Sequence, residues 1–384
     1  MKKNILFLES RFDSFFGAQK SMLKLIKSLD HKDFNYNVVT TGEGQLKKGL
    51  EANGVSVDIV KLGNKANVFG GKVLRYSFID KLIVFFQIIL YNLKLVYYIF
   101  RNKIDIVYVN DSRALLYAVL ATKLLRKKLV WYIRADVSDT IFTNIGLRSS
   151  NYIITIANGV LRNLPISKIK KFEHKITNIY TGFDFEHYKI IDKNEAKEKL
   201  DISTEKLVIG YLGSINQRKG LDLLIDALIE LYETHEWIEL LIVGNVSTGH
   251  IDYWNALVDK LESSSVSYKY LPYSDNISEL YSAMDMFVLP SRSEGLPRVL
   301  IEAMGHKVPV IATDVGGTKE IIEDESLGII FDKSNKNFLI EAIEKLLSNR
   351  EYLHILSENG YRFVSKKFSE NKFVDNINSF FKNF

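Results

Sequence analysis

The sequence predicts an α/β protein built from two Rossmann-like domains. Short apolar, β-branched segments alternate with amphipathic helices, which is typical of a parallel sheet with helices on both faces. This alternation restarts after a polar, charged segment at 190–206, and the chain of 384 residues is longer than one ordinary domain. We therefore expect an N-terminal domain over 1–190, a C-terminal domain over 191–365, and a helix over 366–384 that packs back on the N-terminal domain.

The individual elements follow from local pattern. In the first half, an amphipathic helix over 18–29 has apolar residues at helical spacing, and a second helix covers 112–126. In the second half, a helix is predicted over 219–233. The predicted strands are NILFLE (4–9), NYNVVT (35–40), VSVDIV (55–60), IDIVYVN (104–110), KLVWYIR (128–134), KLVIGYLG (206–213), ELLIVGN (239–245), VSYKYLPY (266–273), MFVLP (286–290) and VPVIAT (308–313). Two such sheets are expected to face each other across a cleft at the carboxyl ends of their strands, where ligands bind.

Composition narrows the class of protein. A hydrophobic content of 47% with 25% charged residues is that of a soluble globular chain. The absence of cysteine excludes disulfides and zinc–thiolate sites. The apolar start, Ile5 to Leu8, is too short for the core of a signal peptide. We expect a cytoplasmic protein.

Charge is distributed unevenly between the halves. Residues 1–190 contain 30 Lys and Arg against 15 Asp and Glu, whereas residues 191–384 contain 21 against 31. A basic N-terminal half indicates an anionic partner, such as a membrane surface, a phosphorylated substrate or nucleic acid. The alternative is an ordinary lysine-rich solvated surface. Because nothing except charge favours nucleic acid, we expect no nucleic-acid partner.

The segment FIDKLIVFFQIILYNLKLVYYIF (78–100) departs from this pattern. Its uncharged run of 12 residues, Leu82 to Leu93, is too short to span a bilayer. The segment could lie in the membrane interface with its aromatic side chains as anchors. The alternative is a buried helix of the first domain.

The stretch SRSEGLPRVLIEAMG (291–305) indicates a ligand site. Pro297 suits the first turn of a helix, which we expect to run to about Met304. Glu294 then lies in the preceding loop and Glu302 on the second turn, so the two carboxylates bracket a helix N-terminus with free N–H groups. That arrangement suits a ligand with an anionic middle and hydroxyls at both ends, as in a nucleotide sugar.

Two further loops support an anion site. In GSINQRKGLDLLIDAL (213–228), Gly213 follows a strand, and Arg218 and Lys219 precede a helix, where adjacent cations could neutralise a diphosphate. The turn DVGGTKEII (314–322) follows a strand with two glycines that permit close backbone approach to a ligand.

Taken together, these motifs resemble those of glycosyltransferase family 4, retaining enzymes with the two-Rossmann GT-B fold that are also described as glycosyl transferases group 1. SEGLPRVLIEAMGHKVPVIATDVGGTKEIIED resembles the family's signature, with seven residues between its two glutamates. FGAQKSMLKLI (16–26) is similar to the N-terminal glycine-rich loop, and LGSINQRKG resembles the diphosphate loop. TNIYTGFDFEHY (177–188) resembles the family's strand and "NG(V/I)D" element, with Thr181 where Asn is usual.

The resemblance implies roles for individual residues. Lys219 and Arg218 would hold the donor diphosphate, Arg218 replacing a family arginine whose position is occupied by Ser214. Glu302 would bind the ribose and Glu294 the transferred sugar. The remaining implied residues are Gly213, Gly295, Leu296, Pro297 and Val299 on the donor side, and Gly17 and Ala18 on the acceptor side.

The resemblance also has a departure. Many family members carry a histidine after the fifth strand, but WYIRADVSD (131–139) has none, so Arg134 or Asp136 would occupy that space on the acceptor side. The chain also contains no D-x-D motif, and we expect neither a metal nor another cofactor.

The implied reaction is retaining, metal-independent transfer from a UDP- or GDP-sugar. The expected acceptor is a lipid-linked glycan in cell-surface polysaccharide or lipopolysaccharide assembly, at the inner face of a bacterial membrane. Soluble acceptors are the alternative within this class. A catalytically idle subunit that binds nucleotide sugar is the alternative from another class, and a nicotinamide dehydrogenase is disfavoured because no G-x-G-x-x-G follows a strand.

Overall fold

The computed structural model describes residues 2–68, 72–332 and 335–384. Contacts divide the chain into two compact units. The first unit holds the chain up to Ile156, together with Val160–Thr181 and Phe373–Phe384, and the second holds Ala157–Gly159 and Gly182–Lys372. The sequence instead places the divisions at 190 and 365. The difference arises because the polar segment 190–206 is not a free linker: it contains a helix, Lys193–Lys199, that belongs to the second unit.

Strands and α-helices alternate along the described chain. Those before the division are β1 (Lys3–Glu9), α1 (Gly17–Ser28), β2 (Phe34–Thr40), α2 (Gln45–Glu51), β3 (Asp58–Ile59), α3 (Phe78–Arg101), β4 (Ile106–Val109), α4 (Ser112–Leu124), β5 (Lys128–Ile133), α5 (Ile141–Ser149), β6 (Tyr152–Thr155), α6 (Ile166–Phe172) and β7 (Ile176–Asn178). Those after it are α7 (Lys193–Lys199), β8 (Leu207–Leu212), α8 (Leu221–Tyr232), β9 (Ile238–Val243), α9 (Ile251–Glu262), β10 (Tyr268–Leu271), α10 (Ile277–Ser282), β11 (Met286–Leu289), α11 (Arg298–Gly305), β12 (Val310–Thr313), α12 (Thr318–Ile321), β13 (Ile329–Phe331), α13 (Lys336–Leu347), α14 (Arg350–Lys367) and α15 (Glu370–Lys382).

The first unit is organised around a parallel sheet of seven strands, in the order β3-β2-β1-β4-β5-β6-β7. Strand β1, an interior strand, pairs along its whole length with β2 and over four residues with β4. Helices cover both faces of such a sheet, and Ile5, Leu6, Phe7 and Leu8 are accordingly inaccessible to solvent. The strand order reverses between β1 and β4, and their carboxyl ends therefore border a crevice.

The second unit repeats this plan with six parallel strands, in the order β10-β9-β8-β11-β12-β13. The reversal here falls between β8 and β11, which are direct neighbours in the sheet. The prediction of an α/β protein with two Rossmann-like domains is therefore confirmed. Each predicted strand overlaps an observed one, although only Asp58 and Ile59 of the predicted strand 55–60 form β3.

One predicted helix starts later than the sequence suggests. Gln217–Lys219 form a short 3-10 turn, and α8 begins at Leu221 instead of residue 219. Gly220 between them adopts a left-handed conformation with φ of 70°, and a Cβ there would lie 2.0 Å from the carbonyl oxygen of Pro290. Only glycine can occupy this position without strain, since it has no Cβ.

Helix α3 corresponds to the apolar segment 78–100. It is neither fully buried in the first unit nor fully exposed. One side of the helix is buried, where Asn92 accepts a hydrogen bond of 3.1 Å from the Ala121 N–H of α4. The other side is exposed and apolar. The exposed large side chains on it are Phe78, Ile79, Leu82, Phe85, Phe86, Leu90, Leu93, Tyr97 and Phe100. Alone among the described helices, α3 has the length and composition of a membrane span. Only 28% of its most apolar window is buried, so it is not an ordinary core helix.

Candidate active site

Two loops meet at the reversal of the second sheet. Gly213 follows β8, and the loop 290–297 follows β11. The backbone N–H of Arg292 donates to the carbonyl oxygen of Arg218 at 2.7 Å, which joins the two loops directly. The two stretches in which the sequence placed a ligand site are therefore neighbours at the edge of the sheet where α/β folds bind ligands.

The centre of this site is a buried ion pair. The Lys219 ammonium donates to Glu294 Oε1 at 2.7 Å, and only 13% and 8% of the two side chains are exposed. Ser291 Oγ donates to the same carboxylate oxygen at 2.7 Å. Arg218 is half exposed; its guanidinium lies 3.5 Å from Glu294 Oε2 and donates to the Ser293 carbonyl at 2.6 Å. The structure thus brings together three residues that the sequence predicted as catalytic.

The ion pair determines the protonation of Glu294. Burial alone would raise the pKa of its carboxyl, but the charges of Lys219 and Arg218 outweigh burial and hold the pKa below its ordinary value. Glu294 is therefore ionised at neutral pH. An ionised carboxylate accepts hydrogen bonds and has no proton to donate, so it can orient hydroxyl groups but cannot act as a general acid.

Helix α11 begins directly beside this pair. Its N-cap is Pro297 and its first residue is Arg298, one residue later than predicted, and it ends at Gly305. No side chain caps its N-terminus. The first N–H groups of the helix and its positive dipole end can therefore interact with an anion. As predicted, Glu294 lies in the loop before the helix and Glu302 lies within the helix.

Glu302 is held at the other side of the helix start. Its carboxylate accepts hydrogen bonds from Tyr281 and from Arg298, each at 3.4 Å. Tyr281 also donates to the Val299 carbonyl at 3.2 Å. Burial, followed by the charge of Glu302, raises the pKa of the Tyr281 phenol well above its ordinary value. Tyr281 therefore remains a hydrogen-bond donor and fixes the position of Glu302. The sequence did not indicate this role.

The turn 314–322, which contains two glycines, packs against the loop 290–297. Gly316 has φ of 52°, and a Cβ there would approach the Glu294 carbonyl oxygen to 2.2 Å. The Gly317 N–H donates to the Gly295 carbonyl at 2.7 Å. The two glycines thus allow close approach to the 294–295 backbone, and the predicted approach to a ligand stays a prediction.

The remaining donor-side residues surround the pair. Leu296 and Pro297 are buried, and Gly295 and Val299 are partly exposed. Ser214 is exposed, and its hydroxyl accepts a hydrogen bond of 3.1 Å from Asn216. Among the described residues, no group of three His, Cys, Asp or Glu side chains is arranged to hold a metal ion.

The predicted acceptor-side residues belong to the first unit. Gly17 and Ala18 are exposed at the start of α1. Arg134 follows β5, and its Nε donates to Asn110 Oδ1 at 2.8 Å. Asp136 lies two residues further on, in the loop before α5.

Sequence reasoning missed the partners of Arg134. Asn110 donates through Nδ2 to Glu9 Oε2 at 2.5 Å, and Glu9 is the last residue of β1. Both side chains are buried, with 2% and 1% of their surface exposed. Polar residues directly after apolar strands were the available signal, but the strand order was needed to bring the two together.

The strand order and the paired loops define a class of protein, an α/β chain of two Rossmann-like units with two cations at the strand reversal of the second. Comparison with solved structures identifies the fold as GT-B. The Anabaena protein Alr3699/HepE, crystallised with UDP, aligns over 100% of both chains with a TM-score of 0.82 at 20% identity. A glycosyltransferase from Rickettsia africae aligns over 100% of this chain and 98% of its own, with a TM-score of 0.81 at 20% identity.

The sequence matches a known family over part of its length. Residues 192–363 match the profile of the family glycosyl transferases group 1. A lipopolysaccharide core biosynthesis mannosyltransferase of Rhizobium meliloti is 28% identical over 66% of this chain and 72% of its own length. A capsular polysaccharide biosynthesis glycosyltransferase of Staphylococcus aureus is 31% identical over 60% of this chain and 61% of its own length. The comparisons thus give the chain a GT-B fold and, over residues 192–363, the profile of this group; membership of the whole chain in the group, the narrower assignment to family 4 and the binding roles of individual side chains stay predictions.

Proposed function

We propose that the protein transfers a sugar from a UDP- or GDP-sugar to an acceptor hydroxyl, with retention of configuration and without a metal ion. The observation that supports this most is the pair of cations, Arg218 and Lys219, held against Glu294 beside the uncapped start of α11. Two side-chain cations and a helix N-terminus together supply the positive charge that a departing diphosphate requires.

The donor is oriented by the two carboxylates. The diphosphate binds between Arg218, Lys219 and the first N–H groups of α11. Glu302, fixed by Tyr281 and Arg298, accepts from the ribose hydroxyls. Glu294, ionised and held by Lys219, accepts from hydroxyls of the transferred sugar. The Anabaena structures, which contain UDP, UDP with glucose, and UDP-glucose, support a nucleotide sugar as the ligand class.

The chemical step breaks the bond between the anomeric carbon and the β-phosphate oxygen of the donor. The bonding electrons leave with the nucleoside diphosphate, where Lys219 and Arg218 stabilise the added charge. The acceptor oxygen attacks the same face of the oxocarbenium-like sugar, and its proton passes to a donor phosphate oxygen, as the family resemblance implies. The products are a glycoside of retained configuration and the nucleoside diphosphate.

The acceptor is a lipid-linked glycan in lipopolysaccharide or capsular polysaccharide assembly. The relatives from Rhizobium meliloti and Staphylococcus aureus are named for lipopolysaccharide core and capsular polysaccharide biosynthesis, which supports this class. The excess of basic residues in 1–190 suits an acceptor that carries phosphate.

A lipid-linked acceptor requires access to a membrane, and the exposed side of α3 suits one. Aromatic residues occupy the middle of this side, whereas Lys81, Lys94 and Arg101 flank it and are also exposed. Asp80, the only acidic residue of the helix, forms an ion pair with Lys65. An apolar face flanked by cations is typical of a helix lying in the plane of an anionic membrane surface. We propose that the protein is cytoplasmic and binds the inner face of the membrane peripherally.

Vesicle binding tests the membrane contact. The protein should sediment at low salt with vesicles that contain phosphatidylglycerol, and binding should weaken about tenfold or more in Phe85→Ser/Phe86→Ser, because two exposed aromatic anchors are lost. Phe338→Ser is the matched control, since Phe338 is 46% exposed in α13 of the second unit. Absence of binding by the wild-type protein, or equal weakening by the control, would contradict the contact.

A ligand screen tests the donor. UDP, GDP, ADP and their sugars are added to the full chain, and the shift in melting temperature is measured. One nucleoside diphosphate is expected to raise it, and the corresponding sugar should then be hydrolysed slowly or transferred. Lys219→Ala and Glu302→Ala are expected to lose most of this activity with the fold intact. Near-wild-type transfer by either variant would contradict the site, and binding without hydrolysis or transfer would favour an idle subunit.

A further inference from the structure

The first unit has a polar cluster at the reversal of its own sheet. Glu9 ends β1, Asn110 follows β4 and Arg134 follows β5, and these three strands are adjacent in the sheet. The cluster therefore borders the crevice between β1 and β4, at the carboxyl ends of the strands. Ligands of α/β sheets bind at this position. The reaction proposed above leaves Glu9 and Asn110 without a role.

Arg134 is held rigidly in this crevice. Its Nε donates to Asn110 Oδ1 at 2.8 Å, and its guanidinium carbon lies 3.9 Å from the centre of the Tyr132 ring. The Tyr108 hydroxyl lies 3.4 Å from Nη2. Stacking and the Asn110 bond fix the plane of the guanidinium, and the bonds to Asn110 and Tyr108 use two of its five N–H donors. A planar guanidinium whose position is fixed and which has further N–H donors is preorganised to bind an oxyanion with two parallel hydrogen bonds.

The charge of Arg134 has no carboxylate partner within ion-pair distance in the described part of the chain. The two acidic groups at the ends of β1 and β4 have other partners. Asp111 accepts from the N–H and hydroxyl of Ser10 and from two N–H groups at the start of α4. Glu9 accepts from Asn110 and from the Arg11 N–H at 2.9 Å. Burial, followed by the charge of Asp111, raises the pKa of Glu9 well above its ordinary value, so this carboxyl compensates Arg134 weakly.

A partly buried cation without a counter-ion is unfavourable unless an anion binds to it. We propose that Arg134, supported by Asn110 and Tyr132, is a binding site for an oxyanion of the acceptor. This deepens the proposed function, on which it rests, by specifying an acceptor that carries negative charge. The oxyanion is either a phosphate of the lipid diphosphate or a carboxylate of an acidic sugar, since both present two oxygens to a guanidinium.

The test must separate this site from the donor site, which also binds phosphate. We therefore use the full chain with Arg218→Ala/Lys219→Ala/Glu294→Gln as the background, which leaves no unpaired carboxylate at the donor site, and titrate pyrophosphate and glucuronate separately by calorimetry. One of the two probes is expected to bind, and the tighter one identifies the source of the oxyanion. Adding Arg134→Met should weaken binding about 10- to 100-fold, the value of a charge-assisted hydrogen bond pair. Arg148→Met is the matched control, because Arg148 is an exposed arginine of α5.

A second variant, Asn110→Asp, tests the same site independently in case Arg134→Met does not fold. Asn110→Asp keeps the shape of the side chain and leaves Arg134 in place, but puts a carboxylate 2.8 Å from its Nε. That carboxylate neutralises the guanidinium and repels an anion, so binding should fall as it does in Arg134→Met. Far-ultraviolet circular dichroism verifies the fold of each variant.

The titrations can either support or overturn the proposed oxyanion site at Arg134. If neither probe binds the background, or if Arg134→Met and Asn110→Asp bind as tightly as Arg148→Met, the inference is overturned. These titrations do not depend on the donor, because the background lacks both donor cations. Failure of the ligand screen would remove the proposed function and leave this result unchanged, so the two failures are distinguishable.

Discussion

The two units share one strand order but differ in the chemistry at the strand reversal. In the first unit the reversal holds a buried glutamate, Glu9, whose pKa is raised because burial and Asp111 both oppose its charge. In the second it holds a buried glutamate, Glu294, whose pKa is lowered because Lys219 and Arg218 outweigh burial. Burial of a carboxyl therefore does not decide its protonation. The difference lies in the nearest cation, which contacts Glu294 directly but reaches Glu9 only through Asn110.

The largest expected effect comes from breaking the ion pair of the second unit. Lys219→Met leaves Glu294 buried without its cation, which should lower the free energy of unfolding by about 3–5 kcal/mol. Transfer should fall about 100-fold or more, since a group that stabilises the leaving diphosphate is lost. Denaturant unfolding and initial rates measure the two effects.

The double variant Lys219→Met/Glu294→Gln separates stability from activity. It removes both charges, so stability should recover substantially, whereas transfer should stay low. Recovery of transfer along with stability would show that Lys219 acts only as a structural partner.

The next effect compares two glycines with left-handed conformations, one in each unit. Gly220→Ala should cost about 2–4 kcal/mol, because alanine disfavours positive φ and its Cβ meets the Pro290 carbonyl. Gly54 has φ of 78° with no atom within 4 Å of a Cβ, so Gly54→Ala should cost only about 1–2 kcal/mol. Thermal unfolding of both variants measures the difference, and equal costs would show that the contact with Pro290 relaxes freely.

The third prediction concerns the two glutamates directly. For Glu294, with its lowered pKa, the stabilisation relative to Glu294→Gln is present above the ordinary pKa of 4.5 and is lost as the pH falls through the folded value. For Glu9, with its raised pKa, the stabilisation relative to Glu9→Gln is present below 4.5 and is lost as the pH rises through the folded value. Each unit of pKa difference contributes about 1.4 kcal/mol. Unfolding curves from pH 3 to 8 should thus show opposite slopes, and slopes of the same sign would contradict the comparison.

The smallest effect tests the support of Glu302. Tyr281→Phe removes the phenol hydrogen bonds of 3.4 Å to Glu302 and 3.2 Å to the Val299 carbonyl. The KM for the donor should rise about 2- to 10-fold with little change in kcat, since only one phenol O–H, shared between two long hydrogen bonds, is lost. Tyr268→Phe is the control, because Tyr268 bonds Glu262 on an exposed surface. A change in kcat alone would place Tyr281 in the chemical step.

The sequence predicted most of the fold because both faces of each sheet are covered. Segments such as NILFLE can be recognised as strands since nearly every position is apolar, and the structure buries Ile5 through Leu8 completely. The start of α8 was wrong by two residues because it depends on the left-handed conformation of Gly220, which is fixed by contact with Pro290 and not by local sequence.

Long-range pairing limited the prediction of the site. The positions of Glu294 and Glu302 relative to α11 were predicted, because Pro297 marks the start of the helix. The contact between Lys219 and Glu294 was not, since the residues are 75 positions apart and only the adjacency of β8 and β11 joins them. For α3 the pattern indicated apolarity but not which side was covered, and that depends on packing against α4.

The return of the chain to the first unit at residues 373–384 affects the order in which the protein can fold during synthesis. Asn378 accepts from the Asp30 N–H at 2.8 Å and donates to the Ser28 carbonyl at 2.9 Å. Phe381 packs against Phe34 with ring centres 6.0 Å apart. The ribosome therefore makes the whole second unit before the segment that completes the core of the first. During synthesis the N-terminal half therefore keeps part of its apolar surface, including Phe34, uncovered until residues 373–384 have been made.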